Sequence, residues 1–376
     1  MRHTLTPYRQ AARARLGPWL TSRDSSPLEV RPEAAASEGT HVLDVDGTPI
    51  SWTVRGAAPA RHIDPGIALA IMPAMRRGRP LHASAPASAR LLSGLGALQS
   101  LLHRWDERMR VVDVEAPSAP HREAGRGVGL FFSGGVDSFS ALRRRRERIT
   151  HLVTVRGFDV TGAEDWDAIS TMARAVAAAE GLSLIEVETD ARAAVADLAW
   201  FEHGHGAVLA SVGLVLQSTL SRLIIGSSRD AESLLPAGTH PDVDPLWSTE
   251  TLTFEHDALL SRDAKVAALV GYEPAMQWLR VCWRRPDLYN CGRCDKCIRT
   301  QVALWMAGGL GACRTLPDTI DLRRVRRLRH RHERSRARAA DLAVKAREAG
   351  FPELAAALRA SVRRSRPHPA RWRATG

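Results

Sequence analysis

Alternating apolar and polar positions first appear near residue 41. The segment 41–54 carries an apolar residue at about every second position on both sides of Asp46-Gly47. Such alternation is typical of half-buried strands, and Asp-Gly between two of them favours a hairpin turn, since both residues tolerate a left-handed backbone. A helical run over 88–105 and a β-branched run over 111–114 follow. We therefore expect a small β-containing α+β domain over residues 38–120.

The pattern changes at Gly127, where short apolar runs begin to alternate with helical periodicity. We expect strands at 128–132, 152–155, 184–187 and 222–226, with helices from 138, over 163–180 and over 207–219. Alternation of strands and helices is the signature of a parallel sheet. Residues 1–37 show no steady period and are expected to form a loosely ordered arm, and 117–126 reads as a linker.

Composition narrows the class of protein. Apolar residues make up 44% of the 376-residue chain and charged residues 25%, which is ordinary globular usage. No run approaches the roughly 18 apolar residues that a membrane span requires, and the first 37 residues lack the apolar core of a secretory signal. We expect no membrane contact and a cytoplasmic location.

The net charge of +12 lies at one end of the chain. Residues 314–376 contain eighteen Lys or Arg against six Asp or Glu, a surplus of twelve, so residues 1–313 are neutral overall. Such a basic helical tail can bind nucleic acid. A solvated arginine-rich helical face is the interpretation that we favour.

The strongest chemical motif joins the first strand of the alternating region to its helix. Its residues are Ser133, Gly134, Gly135, Val136, Asp137 and Ser138. The two glycines let backbone amides approach an anion, and the helix start adds partial positive charge. Asp137 is suited to hold Mg²⁺ against phosphates, and the two serine hydroxyls can donate to phosphate oxygens. No GK[ST] follows, so the motif is not a Walker loop.

This motif resembles the SGGxDS loop of the PP-loop ATP pyrophosphatases, with which residues 133–138 agree at every defined position. The resemblance implies ATP as cofactor, cleaved to AMP and pyrophosphate. It also implies an α/β fold, with an adenine nucleotide alpha hydrolase-like (HUP) parallel-sheet domain over 127–310. The small N-terminal domain and a helical, Arg-rich C-terminus over 314–376 would flank that domain.

Four of the five cysteines lie within sixteen residues. Cys282, Cys291, Cys294 and Cys297 have spacings that suit a closed tetrahedral Zn²⁺ site with a structural role. An iron–sulfur cluster and four free thiols are the alternatives. Cys313 has no evident partner in the sequence.

The order of these features is similar to that of 7-cyano-7-deazaguanine synthase, a PP-loop family with a four-cysteine zinc site. That family has a lysine at the start of a helix before the first cysteine, and Lys265 matches it in position. The resemblance therefore implies that Lys265 contacts ATP phosphate or the adenylate, with Arg262 as a second candidate. The additional N-terminal domain and the basic tail depart from that family, so the same substrate does not follow.

A polar stretch between the last predicted strand and Lys265 is the candidate substrate region. His240, Asp242 and Asp244 are candidate acid–base or metal-binding groups there, with an ordinary surface loop as the alternative. His203 and His205 precede a helix and could reach a substrate or serve a structural role. Trp247 and Trp283 could stack on a planar ring or pack in the core.

Together these features predict an ATP-dependent ligase that adenylates a small-molecule carboxylate or carbonyl oxygen for attack by ammonia or an amine. Asp137 and Lys265 are the predicted catalytic residues. The alternatives are a tRNA-modifying enzyme that uses the basic tail on nucleic acid and a nucleotide-binding protein without turnover.

Overall fold

The computed structural model describes residues 25–34, 37–120, 124–158, 163–282, 289–330 and 333–365. These residues form two compact units. Unit 1 takes the described parts of Met1–Ser133 and Arg144–Leu260, and unit 2 those of Gly134–Arg143 and Ser261–Gly376. This division into compact units differs from the domain boundaries that the sequence predicts near residues 120 and 310. Those domain boundaries stay a prediction.

Ten strands and eleven α-helices occur in the described residues. The strands are β1 Leu28–Pro32, β2 Thr40–Val45, β3 Thr48–Arg55, β4 Leu81–Ala83, β5 Val114–Glu115, β6 Gly127–Phe131, β7 His151–Arg156, β8 Ser183–Thr189, β9 Leu220–Ile225 and β10 Thr253–His256. The helices are α1 Asp64–Arg77, α2 Ala89–Trp105, α3 Val136–Arg145, α4 Ala163–Glu180, α5 His205–Val215, α6 Arg262–Leu269, α7 Glu273–Trp278, α8 Asp295–Met306, α9 Leu322–Arg327, α10 Glu333–Glu348 and α11 Pro352–Arg364.

All ten strands belong to one sheet in unit 1, in the order β10-β9-β6-β7-β8-β3-β2-β1-β4-β5. Six of the nine neighbouring pairs are parallel, and the three antiparallel pairs are β8/β3, β3/β2 and β2/β1. The expected mixed α/β class with a mostly parallel sheet is confirmed. The strands β6 to β10 all end at the same edge, because they run parallel.

The predicted hairpin joins β2 to β3. Asp46 has a φ of 52° and Gly47 a φ of 77°, the left-handed values that a type I′ turn requires. Within the stretch expected to be a loose arm, β1 forms because Leu28 and Val30 alternate with charged residues and pair with β2 and β4. Residues 1–24 lie outside the described residues.

One predicted strand is shorter than expected. The run over 111–114 forms only the short β5, since the amide of Val112 donates to the side chain of Gln99 at 2.8 Å. The β-propensity of its valines is overridden there by a side-chain hydrogen bond.

The N-terminal strands continue the parallel sheet through the pairing of β3 with β8, where Trp52 lies opposite Thr189. The core of unit 1 crosses the same seam, since the indole Nε1 of buried Trp52 donates to Ser211 Oγ on α5 at 3.2 Å. Helix α1 is buried along most of its length and begins at Asp64 with Pro65 at its first turn. The N-terminal strands and the alternating region therefore share one sheet and one core.

Unit 2 is helical and has its own core. Ile298 and Val302 on α8 pack with apolar residues of the C-terminal helices, namely Val325, Leu342, Ala343, Ala346, Leu354, Ala355, Ala357 and Leu358. The Arg-rich C-terminus is therefore helical, as expected, and it buries one apolar face against α8. Among the described residues no helix has both the length and the apolar character needed to cross a membrane.

Candidate functional site

The Ser-Gly-Gly-Val-Asp-Ser loop connects β6 to α3. Gly134 has a φ of 70°, a left-handed conformation that favours glycine, and its carbonyl accepts from the amide of Arg280 at 2.8 Å. The carbonyl of Gly135 accepts from the amide of Phe139 at 3.0 Å and from the hydroxyl of Ser138 at 3.1 Å. The loop thus turns sharply into the helix, whose first-turn amides have no partner within the helix itself.

Asp137 and Lys265 form an ion pair within unit 2. Asp137 lies in the first turn of α3 and Lys265 in α6, and their side chains meet at 2.9 Å between Nζ and Oδ1. The lysine side chain is 2% exposed and the carboxylate 31% exposed. The carboxylate can therefore bind a cation or solvent while the ammonium holds it in place.

Arg262 lies beside this pair at the start of α6, which Ser261 caps by accepting from the amide of Ala264. Its Nη2 donates to Thr300 Oγ1 at 3.0 Å, and its buried Nε has no hydrogen-bond partner in the described residues. Burial lowers the pKa of Arg262, and the negative charge of Asp137 opposes that shift. A buried guanidinium nitrogen without a partner is unusual and calls for an acceptor.

The four cysteines come together in unit 2. Their sulfur atoms all lie within 4.8 Å of one another, and the Cys282–Cys294 and Cys291–Cys297 sulfur pairs are each 3.9 Å apart. A tetrahedron with Zn–S bonds of 2.3 Å has sulfur–sulfur edges of about 3.8 Å. The cluster fits such an ion, so these cysteines could hold a metal such as zinc.

Local backbone geometry presents the thiols. Gly292 has a φ of 63°, and Cys294 is the N-cap of α8, where its sulfur accepts from the amide of Cys297 at 3.5 Å. The sulfur of Cys291 accepts from the amide of Cys294 at 3.3 Å. Asn290 Oδ1 accepts from the amide of Cys282 at 3.1 Å and so ties the first cysteine to the other three.

Ionisation within the cluster is unequal. The hydrogen bond from Cys297 lowers the pKa of Cys294 to about 5, and the same contact raises the pKa of Cys297. A thiolate is the form that binds metal. Cys313 is buried apart from the cluster, with its sulfur 3.6 Å from Thr315 Oγ1.

The polar stretch of unit 1 contains a buried pair that the sequence analysis did not anticipate. Asp244 is fully buried, and its Oδ2 lies 2.6 Å from Nδ1 of His256. Burial raises the pKa of Asp244, although the hydrogen bond to His256 opposes the shift. The Nε2 atom of His256 is buried and has no partner in the described residues. This pair has the composition of an acid–base dyad.

His256 ends β10 at the carboxyl edge of the sheet, a position at which ligands gather in open α/β folds. A position at the end of a strand is the signal by which the sequence could have indicated His256, but this residue lies beyond the polar stretch and was overlooked. Of the residues that were named there, His240 packs edge-on against Trp105 and its backbone amide donates to Asp244. Asp242 is a surface residue with a side chain 68% exposed.

His203 lies in a short π-helical turn over Trp200–Gly204, and His205 is the first residue of α5. His205 contacts the carbonyl of Trp200 and the hydroxyl of Thr239, and burial lowers its pKa to about 4. His203 is mostly buried and faces Asp106 at 3.6 Å. Trp247 is buried in unit 1, in agreement with the packing interpretation, and Trp283 lies outside the described residues.

Neither family models, curated proteins nor solved structures gave a match to this chain.

Proposed function

We propose that this protein is an ATP-dependent adenylating enzyme of the PP-loop type, which cleaves ATP to AMP and pyrophosphate. Its acceptor is a small-molecule carboxylate or carbonyl oxygen. The acceptor oxygen attacks the α-phosphorus, the bond to the β-phosphate oxygen breaks, and pyrophosphate leaves. Ammonia or an amine then attacks the activated carbon, AMP departs, and a C–N bond has formed.

The observation that carries the proposal is the ion pair of Lys265 with Asp137 of the glycine-rich loop. The two residues are separated by 128 positions in the sequence, and the sequence predicts a phosphate-binding role for each of them. A buried ammonium beside a partly exposed carboxylate is suited to stabilise negative charge that develops on phosphate oxygens. Ordinary structural ion pairs at protein surfaces are exposed on both sides.

The loop residues have separate tasks in this proposal. Gly134 and Gly135 allow close approach of the backbone to phosphate, and the hydroxyl of Ser133 donates to its oxygens. The hydroxyl of Ser138 donates to phosphate once it turns away from the carbonyl of Gly135. Asp137 holds Mg²⁺, which neutralises phosphate charge when bound. Lys265 neutralises the charge that develops on the leaving pyrophosphate, and Arg262 assists it.

The cysteine cluster has a structural role in the proposal. Cys282, Cys291, Cys294 and Cys297 would hold Zn²⁺ with four thiolates, which leaves no open coordination position for catalysis. The ion would fix the start of α8 and with it the residue that contacts Arg262, Thr300. Reduced cysteines suit a reducing compartment such as the cytosol.

The test is product analysis. Purified protein is incubated with Mg·ATP and fractionated cell metabolites, and release of AMP and pyrophosphate is followed by chromatography. The isosteric variant Asp137→Asn should lower the rate by roughly 100-fold or more. Asp318→Asn changes an exposed carboxylate of unit 2 that has no hydrogen bond or ion pair among the described residues, and it should leave the rate unchanged.

Both variants are checked for folding by circular dichroism. AMP and pyrophosphate release that requires a metabolite fraction and Asp137 supports the proposal and leads to the substrate. ADP as the product, or equal rates for Asp137→Asn and the wild type, contradicts it.

A further inference from the structure

The C-terminal helices of unit 2 contribute cations next to the proposed phosphate site. Helix α10 docks on the start of α6 through Lys345, whose Nζ lies 2.9 Å from Asp263 and 2.7 Å from Asp341. Asp263 directly follows Arg262 in the sequence. The face of α10 that carries Lys345 is therefore turned toward the helix end at which Arg262 lies.

Arg338 lies on that same face of α10. It precedes Asp341 by three residues and Lys345 by seven, and residues at these spacings line up on one side of a helix. Seven residues correspond to about 10 Å along the helix axis. The positive charge of Arg338 also contributes to the lowered pKa of Arg262.

Arg299 approaches the same point from α8. Its neighbour Thr300 accepts the hydrogen bond from Arg262, and Arg299 Nε lies 3.0 Å from Asp295 on its own helix. The side chain of Arg299 is only 18% exposed. Its charge, like that of Arg338, lowers the pKa of Arg262.

Three guanidinium groups from three helices are thus gathered within one unit. Arginine cannot shed its proton at physiological pH, so the repulsion among Arg262, Arg299 and Arg338 is not relieved by titration. Asp137 and Asp295 offset part of the charge, but Asp263 is already shared with Lys345. The buried Nε of Arg262 still has no partner in the described residues. An anion with several oxygens would satisfy that donor and reduce the repulsion.

We propose that Arg262, Arg299 and Arg338 form a binding site for a diphosphate group, the pyrophosphate portion of the nucleotide. This inference rests on the proposed function. It assigns the basic C-terminal region to phosphate binding within unit 2 instead of to nucleic acid. Arg262 and Arg299 are largely buried in unit 2, which suits a small anion. A nucleic-acid backbone requires cations on an exposed surface.

The experiment is calorimetric titration with inorganic pyrophosphate in the presence of Mg²⁺, and separately with Mg·ATP. The variants are Arg299→Gln and Arg338→Gln, because Arg262 is close to Asp137 and its loss would confuse the two proposals. Arg359→Gln, on the exposed side of α11, is the matched control. Thermal melts establish that each variant is folded.

We expect Arg299→Gln and Arg338→Gln each to weaken pyrophosphate binding by about 10- to 100-fold, the usual loss of a charge-assisted hydrogen bond. The control should bind like the wild type. If both arginine variants bind pyrophosphate like the wild type, the inference is wrong. If these variants lose binding to a mixed-sequence RNA but keep pyrophosphate binding, the arginines belong to a nucleic-acid site instead.

The two proposals fail in different ways. If Mg·ATP binding requires Asp137 but is the same in the wild type and in both arginine variants, the proposed function stands and the arginine site is excluded. Pyrophosphate binding that depends on the arginines, together with no binding of Mg·ATP, would preserve the arginine site and exclude the proposed function.

Discussion

Units 1 and 2 both bury ionisable side chains, but they differ in how completely those groups are paired. Unit 1 buries Asp244, whose pKa is raised, and His205, whose pKa is lowered to about 4. Each of these shifts favours the uncharged form. Both units also enclose guanidinium groups, which stay charged. Buried Arg79 of unit 1 pairs with Asp46 at 3.1 Å, whereas the buried Nε of Arg262 in unit 2 has no partner in the described residues.

This difference suggests a division of labour. A neutral buried group needs only hydrogen-bond partners, and unit 1 supplies them to Asp244 and His205, while its buried Arg79 has Asp46 as a counterion. A buried cation needs a counterion, and in unit 2 burial and the charges of Arg299 and Arg338 lower the pKa of Arg262 against the opposing effect of Asp137 and Asp263. Unit 1 is therefore expected to be stable by itself, whereas unit 2 is expected to depend on metal and anion.

Removal of the metal should produce the largest effect. Structural Zn²⁺ in small sites contributes roughly 10 kcal/mol or more of binding free energy that is coupled to folding. Cys297→Ser, or a strong chelator, should therefore abolish amide protection in α8 and the C-terminal helices while the sheet of unit 1 stays protected. Hydrogen exchange followed by mass spectrometry measures both regions in one experiment.

The control for this experiment is Cys313→Ser, because Cys313 is buried outside the cluster. It should retain the metal by elemental analysis and keep the protection of α8. Protection of unit 2 that survives complete removal of metal would contradict the comparison of the two units.

Loss of Asp244 should produce the second largest effect. Asp244→Ala leaves His256 Nδ1 and the amide of His240 without their buried acceptor, at a cost of about 3–5 kcal/mol in the free energy of unfolding. Urea denaturation measures the change. Asp242→Ala, at a side chain 68% exposed, should stay within about 0.5 kcal/mol of the wild type. Equal losses in the free energy of unfolding for the two variants would show that the buried pair Asp244–His256 does not stabilise the protein more than an exposed residue does.

The pH dependence of unit 1 is the third expectation. His205 has a pKa of about 4 in the folded protein and about 6.5 when unfolded, so below pH 6.5 the unfolded chain binds the extra proton. Its contribution to stability is complete above pH 6.5 and is lost as the pH falls toward 4, up to roughly 3 kcal/mol. His205→Gln should flatten the stability profile in that window, as determined by urea titrations from pH 4 to 8. A variant profile with an unchanged slope would exclude His205 as the source.

Lys265→Met should have the smallest effect on stability. Methionine fills a similar volume, and the Asp137 carboxylate, 31% exposed, can be hydrated once the ammonium is gone. We expect a change below about 1 kcal/mol in the free energy of unfolding, together with loss of AMP formation. A destabilisation as large as that of Asp244→Ala would show that the partly exposed pair Lys265–Asp137 and the buried pair Asp244–His256 do not differ in their contribution to stability.

Features formed by neighbouring residues were predictable. The hairpin at Asp46-Gly47 is present because its turn residues and its flanking alternation lie within fourteen positions. The strand–loop–helix arrangement around Gly134 and the clustering of the four cysteines follow from equally local patterns. Whether the loop binds ATP, and whether the cluster binds zinc, stay predictions.

Features formed by distant residues were not predictable. His256 was overlooked because nothing near it in the sequence announces Asp244 as a partner twelve residues earlier. The arginine site draws on Arg262, which the sequence analysis named, and on Arg299 and Arg338, which in the sequence look like members of an arginine-rich background. The basic C-terminal region was interpreted as a solvated face, although its apolar residues pack on α8.

The sequence alone therefore determined the local elements, because hydrophobic period, turn residues and ligand spacing act over a few positions. The tertiary structure decided that the N-terminal strands join the parallel sheet through β3 and β8, and that Lys265 meets Asp137. Such contacts depend on the packing free energy of segments that are far apart in the chain. No local pattern records that energy, so the partners of a buried charge become known only when the chain is folded.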